Sequence, residues 1–387
     1  MNIAIDARFL GPDGTGIGRY TEELVRQLEQ LDKANQYHIL LRAANFDLFQ
    51  PTNPNFHRIM ADVPWYSPQE QLVIPRILRR LNPDLTHFPY DAPPIFAPGK
   101  VITTIHDLTK ADFQSVSSST KSPGLYWIKQ SAYKLALHRG AERSVKIIVP
   151  THAVKDKVVQ DLHVPPEKVV VTYEAADQKF FSWGERQVSD SQKTAILQKY
   201  AIKSPFLIYV GNVFPYKNLN KLIEALKLLP PEISLVCVGK RTSFHDRLAE
   251  FVKQNQLTDR VVMPGFVADE DLSILYRAAE TYVFPSLSEG FGLPAIEAMA
   301  SRLPLACSDI PVFREVCGDN AVFFNPTDPA DIASKISEVL NDQKLHEKLV
   351  KEGLERARQF SWRKMTAQTL LVYEECGKDN EQTKKKN

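Results

Sequence analysis

Short apolar runs rich in β-branched residues alternate along this chain with segments of helical periodicity, and no other feature restricts its fold as much. The strand candidates are residues 3–6, 38–42, 101–105, 145–149 and 168–173, then 206–210, 234–238, 260–263, 282–284, 304–307 and 321–324. Between them, Leu24, Val25, Leu28 and Leu31 mark one helix, and Leu219, Leu222, Ile223 and Leu226 another. Short apolar strands separated by helices are buried on both faces, so the pattern predicts an α/β protein with parallel sheets. A length of 387 residues, 43% of them hydrophobic, supplies two such cores. Residues 179–204 are polar and strand-free and are expected to be a linker, with a short helix near 191–199. The expected architecture is two Rossmann-like, doubly wound domains, residues 1–178 and 205–360, facing each other across a cleft. A last helix, 361–376, carries Trp362, Met365, Leu370 and Tyr373, and the polar residues 377–387 are expected to form a disordered tail.

Charge and cysteine content exclude several classes. Forty-eight Lys and Arg against 46 Asp and Glu leave a net charge of +2, so no basic surplus announces a nucleic-acid binder. Cys237, Cys307, Cys317 and Cys376 include no CxxC spacing, so neither a zinc nor a dithiol site is expected. Cys237, inside SLVCVG, reads as a small buried hydrophobe, and the cysteine pattern fits a reducing cytosol. The opening MNIAIDARFL has no basic stretch leading into a long apolar one, so no signal peptide is expected. No window holds about 18 consecutive apolar residues, which leaves no spanning helix.

Ligands of open parallel sheets bind at the carboxyl ends of the strands, so chemistry is sought in the loops that follow them. After the first strand comes Gly11-Pro12-Asp13-Gly14-Thr15-Gly16-Ile17-Gly18-Arg19, leading into a helix. Glycines there admit close approach of a ligand, and a helix start offers N–H groups to an anion. The spacing is not GxGxxG, and no acidic residue ends the second strand, which weakens a dinucleotide reading. A flexible loop capping a helix is the plain alternative. The design repeats at Gly211-Asn212-Val213-Phe214-Pro215-Tyr216-Lys217-Asn218. Lys217 stands near a helix start, where a cation is disfavoured by a few tenths to about 1 kcal/mol unless an anion is present. Asn218 is a candidate N-cap.

The most specific segment is Phe284-Pro285-Ser286-Leu287-Ser288-Glu289-Gly290-Phe291-Gly292-Leu293-Pro294-Ala295-Ile296-Glu297. Pro294 suits the start of a helix, and Gly290 and Gly292 open the preceding loop. Glu289 and Glu297 bracket this anion-accepting turn. Two carboxylates beside such a turn suit hydroxyl recognition, one for sugar hydroxyls and one for a ribose diol, with the amides facing a diphosphate. Two solvated surface glutamates are the plain alternative.

EGFGLPAIE resembles the signature of retaining, nucleotide-sugar-dependent glycosyltransferases of the GT-B fold, glycosyltransferase family 4 (group 1). IDAR…TGIGRY, YVGN…YKNLNKLIEAL, PGFVADEDLSILYRAA and FSWRKMTAQTLLVYEE resemble other family segments in order and spacing. The resemblance spans nearly the whole chain and implies that the last helix crosses back to complete the N-terminal domain. It also implies roles. Glu297 would bind the ribose. Glu289 and the amides of Gly290, Phe291, Gly292 and Leu293 would hold donor-sugar hydroxyls and phosphate. Lys217, with Gly211 and Asn212 in its loop, would face the diphosphate, and Gly16 and Gly18 would close on the phosphates from the other domain. The backbone around Phe266 and Val267 would read the base. The family usually has Arg where this chain has Asn212, so either Arg19 or Arg241 compensates or the diphosphate is held more weakly.

Thr103-Thr104-Ile105-His106-Asp107 ends a strand at the ligand edge, and the family commonly carries a His-Asp pair there. His106 is therefore expected near the anomeric carbon, although a lone histidine is often a satisfied structural one. His87 is a weaker acceptor-side candidate, and His152 reads as a helix-start residue. Asp269-Glu270-Asp271 spells DxD, a metal motif in another transferase fold. Its place in a first helical turn accounts for it by the helix dipole, and no metal or other cofactor is expected.

The expected reaction moves a hexose, with retention, from a nucleoside-diphosphate sugar to an acceptor hydroxyl in glycan or glycolipid synthesis. Asp107 is a poor nucleophile candidate, so a front-face attack fits better than a covalent intermediate. GDP-mannose is the first expectation, with a UDP-sugar or another hexose as the alternative. A nucleotide-sugar epimerase of the same architecture and a non-catalytic binder are the competing classes. The expected acceptor is a glycan or lipid-linked saccharide. Lys129, Lys134, His138, Arg139, Arg143 and Lys146, with Tyr126, Trp127 and Tyr133, could meet anionic lipid, though a solvated helix face explains them equally well. The expected location is cytoplasmic, with a peripheral place on the inner membrane face as the further option.

Overall fold

The computed structural model describes residues 1–112 and 123–384. The serine-rich stretch 113–122 and the last three residues of the tail lie outside the described residues. The chain divides into two compact units: Met1–Glu174 with the chain from Ser361 on, and Ala175–Phe360.

The first unit holds strands β1 (Asn2–Asp6), β2 (Gln36–Leu41), β3 (Phe56–Met60), β4 (Leu85–Phe88), β5 (Val101–Thr104), β6 (Ser144–Val149) and β7 (Val169–Val171). They form one sheet in the order β3-β2-β1-β4-β5-β6-β7, with every neighbouring pair parallel. Its helices are α1 (Thr15–Leu31), α2 (Glu70–Leu81), α3 (Thr109–Asp112), α4 (Pro123–Arg143) and α5 (His152–Leu162). Leu24, Val25 and Leu28 of α1 are fully buried, as their helical spacing requires.

The second unit holds β8 (Phe206–Val210), β9 (Ser234–Val238), β10 (Val261–Gly265), β11 (Thr281–Phe284), β12 (Leu305–Ser308) and β13 (Val322–Phe324). Their order is β10-β9-β8-β11-β12-β13, again all parallel. Around them lie α6 (Gln178–Glu185), α7 (Asp190–Lys199), α8 (Leu219–Leu226), α9 (Ser243–Gln254), α10 (Asp269–Ala278), α11 (Leu293–Ala300), α12 (Pro311–Cys317), α13 (Pro329–Asn341) and α14 (Gln343–Ala357). The chain then returns to the first unit through α15 (Trp362–Lys384).

The sequence reading named no strand at β3 and only a possible short one, ending at His87, for β4, each for a physical reason. β3 lies at a sheet edge, where exposed His57 and half-buried Arg58 are tolerated. β4 is central but contains Thr86 and His87, and His87 is satisfied inside the core. The segment expected to link the domains consists largely of α6 and α7. Lys179 of α6 pairs with Asp269 at 2.6 Å, and Lys199 and Tyr200 both reach Asp271 at 2.6 Å. Phe180 and Trp183 pack on Tyr276 of α10 with ring centroids 6.1 and 5.7 Å apart. The terminal helix continues past Cys376, through the residues expected to be a disordered tail, to Lys384.

α15 belongs to the first unit because its apolar side is needed there. Met365 and Tyr373 are fully buried, and the helix packs on α1, β4 and β6. Tyr373 Oη lies 2.6 Å from His87 Nδ1, while Thr104 Oγ1 lies 2.8 Å from Nε2. Burial, and then the nearby charge of His106, push the His87 pKa down to about 3, so the ring is neutral. His87 is thus a core residue joining β4, β5 and α15, which removes it as an acceptor-side candidate. Among the described residues, no helix is long and apolar enough to cross a membrane.

Candidate active site

Each sheet has one place where the connections from neighbouring strands run to opposite sides: between β1 and β4 in the first unit, and between β8 and β11 in the second. The carboxyl edge at such a point is where open parallel sheets take ligands.

In the second unit the loop after β8 brings Lys217 to the loop after β11. Its Nζ lies 2.5 Å from Glu289 Oε1, and the two side chains are only 14% and 11% exposed. The Lys217 ammonium also stands 5.2 Å from the Tyr216 ring and 5.4 Å from the Phe284 ring. A poorly hydrated cation held by a carboxylate and two ring faces is fixed in place, as an electrostatic catalyst requires. Asn218 precedes α8 in the left-handed region, with φ of 61°. Its side chain does not cap the helix; Nδ2 donates to the carbonyls of Pro285 and Pro326 at 3.1 and 2.7 Å, tying the two loops together. The Leu287 amide donates to the Tyr216 carbonyl at 2.8 Å, a second tie. Gly211 follows β8 directly, and the Asn212 carbonyl accepts the Tyr209 hydroxyl at 2.6 Å.

Gly292 ends the loop after β11 with φ of 82°, and a Cβ there would stand 2.6 Å from Phe313. Only glycine makes this turn, which launches α11 from a buried loop. Glu297 is 6% exposed in α11. Phe291 points inward, 3% exposed and 5.4 Å from the Phe360 ring, so it offers a ligand its backbone and not its side chain. The buried Ser286 hydroxyl has no partner in the described structure. At the same sheet edge, after β10, Phe266 is 79% exposed and Val267 is buried. Arg241 lies beside Gly265 in that neighbourhood, with Nε 3.5 Å from where a Cβ would be. Cys237 is buried in β9, and burial pushes its thiol up to about 12, outside the range of a reactive cysteine.

In the first unit the loop glycines have different reasons to be glycine. A Cβ on Gly14 would fall 1.9 Å from the Phe9 carbonyl oxygen, and one on Gly18 would fall 2.3 Å from that of Gly11. Both let α1 press against its own loop. Gly16 is exposed with nothing within 4 Å of its missing Cβ, so packing does not explain it. Arg19 is half-buried on the first turns of α1.

His106 follows β5 at this edge and is 14% exposed. Its Nε2 faces the Pro89 carbonyl at 3.1 Å, and its Nδ1 faces Glu174 Oε1 at 2.9 Å. Burial alone would lower its pKa. The hydrogen bond and charge of Glu174, aided by the Pro89 carbonyl, outweigh burial and raise it, favouring imidazolium. Tyr20 meets the ring edge-on at 4.7 Å. Both ring nitrogens therefore have protein partners, and Asp107 instead accepts the Thr109 amide at 2.8 Å. Glu174 was missed from sequence, although it directly follows the KVVVTY strand candidate and so met the positional rule that selected His106. His152 starts α5, with Thr151 as its N-cap.

A second buried assembly was also missed. Arg8 is 1% exposed and donates through Nη2 to Asp6, Glu70 and Tyr90 at 2.7, 2.7 and 2.9 Å, and through Nη1 to the Val63 carbonyl at 3.1 Å. It binds the loops after β1, β3 and β4 to α2. Burial, only partly opposed by Arg8, raises the Glu70 pKa. The Asp269-Glu270-Asp271 run opens α10, where two of its acids hold α6 and α7. Among the described residues, no three His, Cys, Asp or Glu side chains converge as metal ligands do.

Comparison with known proteins finds relatives of both units. Residues 14–180 match the family described as Glycosyltransferase Family 4, and residues 192–356 match Glycosyl transferases group 1. The chain is 29% identical over 377 residues to O-antigen chain mannosyltransferase B of Escherichia coli, covering 93% of this chain and 96% of that protein. It is 30% identical over 242 residues to O-antigen chain mannosyltransferase RfbU of Salmonella typhimurium, covering 62% of this chain and 64% of the relative. A crystal structure of Anabaena Alr3699/HepE in complex with UDP and glucose shares the fold, with a TM-score of 0.75 at 16% identity, covering 97% of this chain and all of the other.

Proposed function

From the membership of this chain in the group 1 glycosyltransferases of family 4, enzymes of the GT-B fold, we propose that it transfers mannose from GDP-mannose to a hydroxyl of a growing glycan, with retention at the anomeric carbon. The observation that carries the reading is the Lys217–Glu289 pair at the switch point of the second sheet, next to the glycine turn into α11. The mannosyl preference is supported by the names of the relatives and not by a side chain, since the base is expected to be read by backbone around Phe266 and Val267.

In this reading the diphosphate takes Lys217, and Glu289, released from it, accepts the sugar hydroxyls. Glu297 accepts the ribose diol. The amides of Gly290 to Leu293, together with the start of α11, face the phosphate charge that grows as the glycosidic bond breaks. The orphan Ser286 hydroxyl is a further group that a bound donor would satisfy. The acceptor oxygen bonds to C1 on the face the diphosphate leaves, its proton passes to the departing phosphate oxygen, and GDP is released. A front-face route is assigned in preference to a covalent one, with Asp107 Oδ1 given to the Thr109 amide and not to C1. No metal is assigned a part, because the DxD acids already serve α6 and α7.

His106, held as imidazolium by Glu174, is assigned to the donor sugar, and Gly16 to close approach of a phosphate. The acceptor class is a glycan or a lipid-linked saccharide on the cytoplasmic side. Trp127, Ile128 and Leu135 of α4 are exposed among basic residues, which suits a peripheral contact with anionic lipid.

The test is incubation with GDP-mannose, UDP-sugars and an oligomannoside. Release of GDP with a lengthened α-linked product supports the reading. An epimerised donor without transfer, inversion at C1, or full activity of Glu289→Ala would overturn it.

A further inference from the structure

The first unit carries a second polar arrangement at the switch point between β1 and β4. The loop after β4 places Asp91 there, 8% exposed. Tyr66 donates its hydroxyl to Asp91 Oδ1 at 2.6 Å, and Tyr133 of α4 donates to Oδ2. Burial, reinforced by Asp91, raises both phenol pKa values, so both stay donors. Each carboxylate oxygen keeps a further lone pair. Lys110, exposed in α3, stands 4.3 Å from the Tyr66 ring centre and 5.5 Å from that of Tyr133.

The platform is built for rigidity. Phe9 meets Tyr66 edge-on at 5.8 Å and Tyr90 at 5.0 Å, and Tyr90 is clamped by the buried Arg8, Asp6 and Glu70. Trp65 is used up structurally, with Phe9 stacked at 4.4 Å and Arg42 over the ring at 4.9 Å. Tyr66 differs. The residue is 37% exposed, and its backbone has φ of 55°, a region that bulky residues rarely adopt. That conformation directs its hydroxyl at Asp91 and its ring beneath the Lys110 ammonium.

The set selects by chemistry. The Asp91 carboxylate disfavours an anion and the Lys110 ammonium disfavours a cation. What remains is a neutral molecule with neighbouring hydroxyls and one apolar face, which is a pyranose. We propose that Asp91, Lys110 and the partly exposed Tyr66 hold a sugar residue of the acceptor glycan, with Tyr133 fixing the carboxylate. The inference rests on the transferase reading and adds the residues that choose the acceptor.

Binding of α-mannobiose, α-glucobiose and N-acetylglucosamine to the full chain is followed by saturation-transfer NMR, beside GDP-mannose. Wild type is expected to bind at least one of these saccharides saturably. Lys110→Ala, a surface change without folding risk, and Tyr66→Phe, which removes one oxygen, are each expected to weaken that binding at least fivefold. Their affinity for GDP-mannose is expected to stay within twofold, a split that a merely structural role would not produce. Variants that bind the saccharide like wild type overturn the proposal, as does a wild type that binds none of the three. Failure of the transferase reading appears differently, as a wild type that does not bind or turn over any nucleotide-sugar.

Discussion

Replacing Gly16 by Ala is expected to stabilise the protein while impairing it. The site is the second residue of α1, and its φ lies outside the left-handed region that would forbid a side chain. Nothing stands within 4 Å of the added Cβ. Alanine in a helix is favoured over glycine by about 0.5–1 kcal/mol, largely through the unfolded chain. In a unit of this size that corresponds to a rise of roughly 1–4 °C in Tm. If the loop admits a donor phosphate, the methyl occupies the space the phosphate needs. A tenfold fall in kcat/KM for the donor, about 1.4 kcal/mol, is the least expected. Gly18→Ala is the control with the opposite sign. Its Cβ would meet the backbone oxygens of Gly11 and Phe9 at 2.3 and 2.7 Å, which cannot move independently of the loop. Overpacking of that kind costs about 1–3 kcal/mol or more. Thermal denaturation with a GDP-release assay measures both quantities on both variants. A Gly16→Ala protein with unimpaired donor kcat/KM refutes the ligand role, and a fully stable Gly18→Ala protein refutes the packing argument.

Lys217→Ala should lower kcat by roughly a hundredfold or more, the usual effect of removing a preset charge from a leaving group. A loss confined to KM would place Lys217 in ground-state binding only. Glu174→Gln should change how stability responds to pH. The folded pKa of His106 is raised, so the ion pair stabilises fully below the unfolded histidine pKa of about 6.5 and is lost as pH climbs through the folded value. The Tm gap between wild type and variant should therefore be widest in acid and narrow in alkali; a gap constant from acid to alkali would count against the pair. Asp269→Asn with Asp271→Asn should lower Tm slightly through lost contacts to α6 and α7 and leave turnover intact. Activity lost in that variant, or on chelation with EDTA, would reinstate the DxD run as a metal site.

Much of the fold was legible because strand and helix periodicities are local. β8 and β9 have the bounds that their apolar runs predict. β4 was obscured because its Thr86 and His87 are polar in isolation; His87 becomes a core residue only through Thr104 and Tyr373, the latter 286 residues away. Within the candidate site, the Gly loops, Lys217, Glu289 and His106 could be named because each lies in a segment that leaves the carboxyl end of a strand. What they touch could not be named. Lys217 and Glu289 are 72 residues apart in sequence, and His106 and Glu174 are 68 apart.

By itself, then, the sequence determined the class of fold, the edge of each sheet where the candidate residues lie, and the residue types found there, since all three depend on short-range pattern. Only the tertiary structure decided which charges are compensated and which glycines are obligatory. Phe291 turned into the core, and Gly18 proved necessary to its own loop while Gly16 did not. The Asp91 platform with Tyr66, Tyr133 and Lys110 exists only because four separate segments meet beside the switch point of one sheet. Long-range proximity sets desolvation and pairing, and those set the charge a side chain carries and what it can hold.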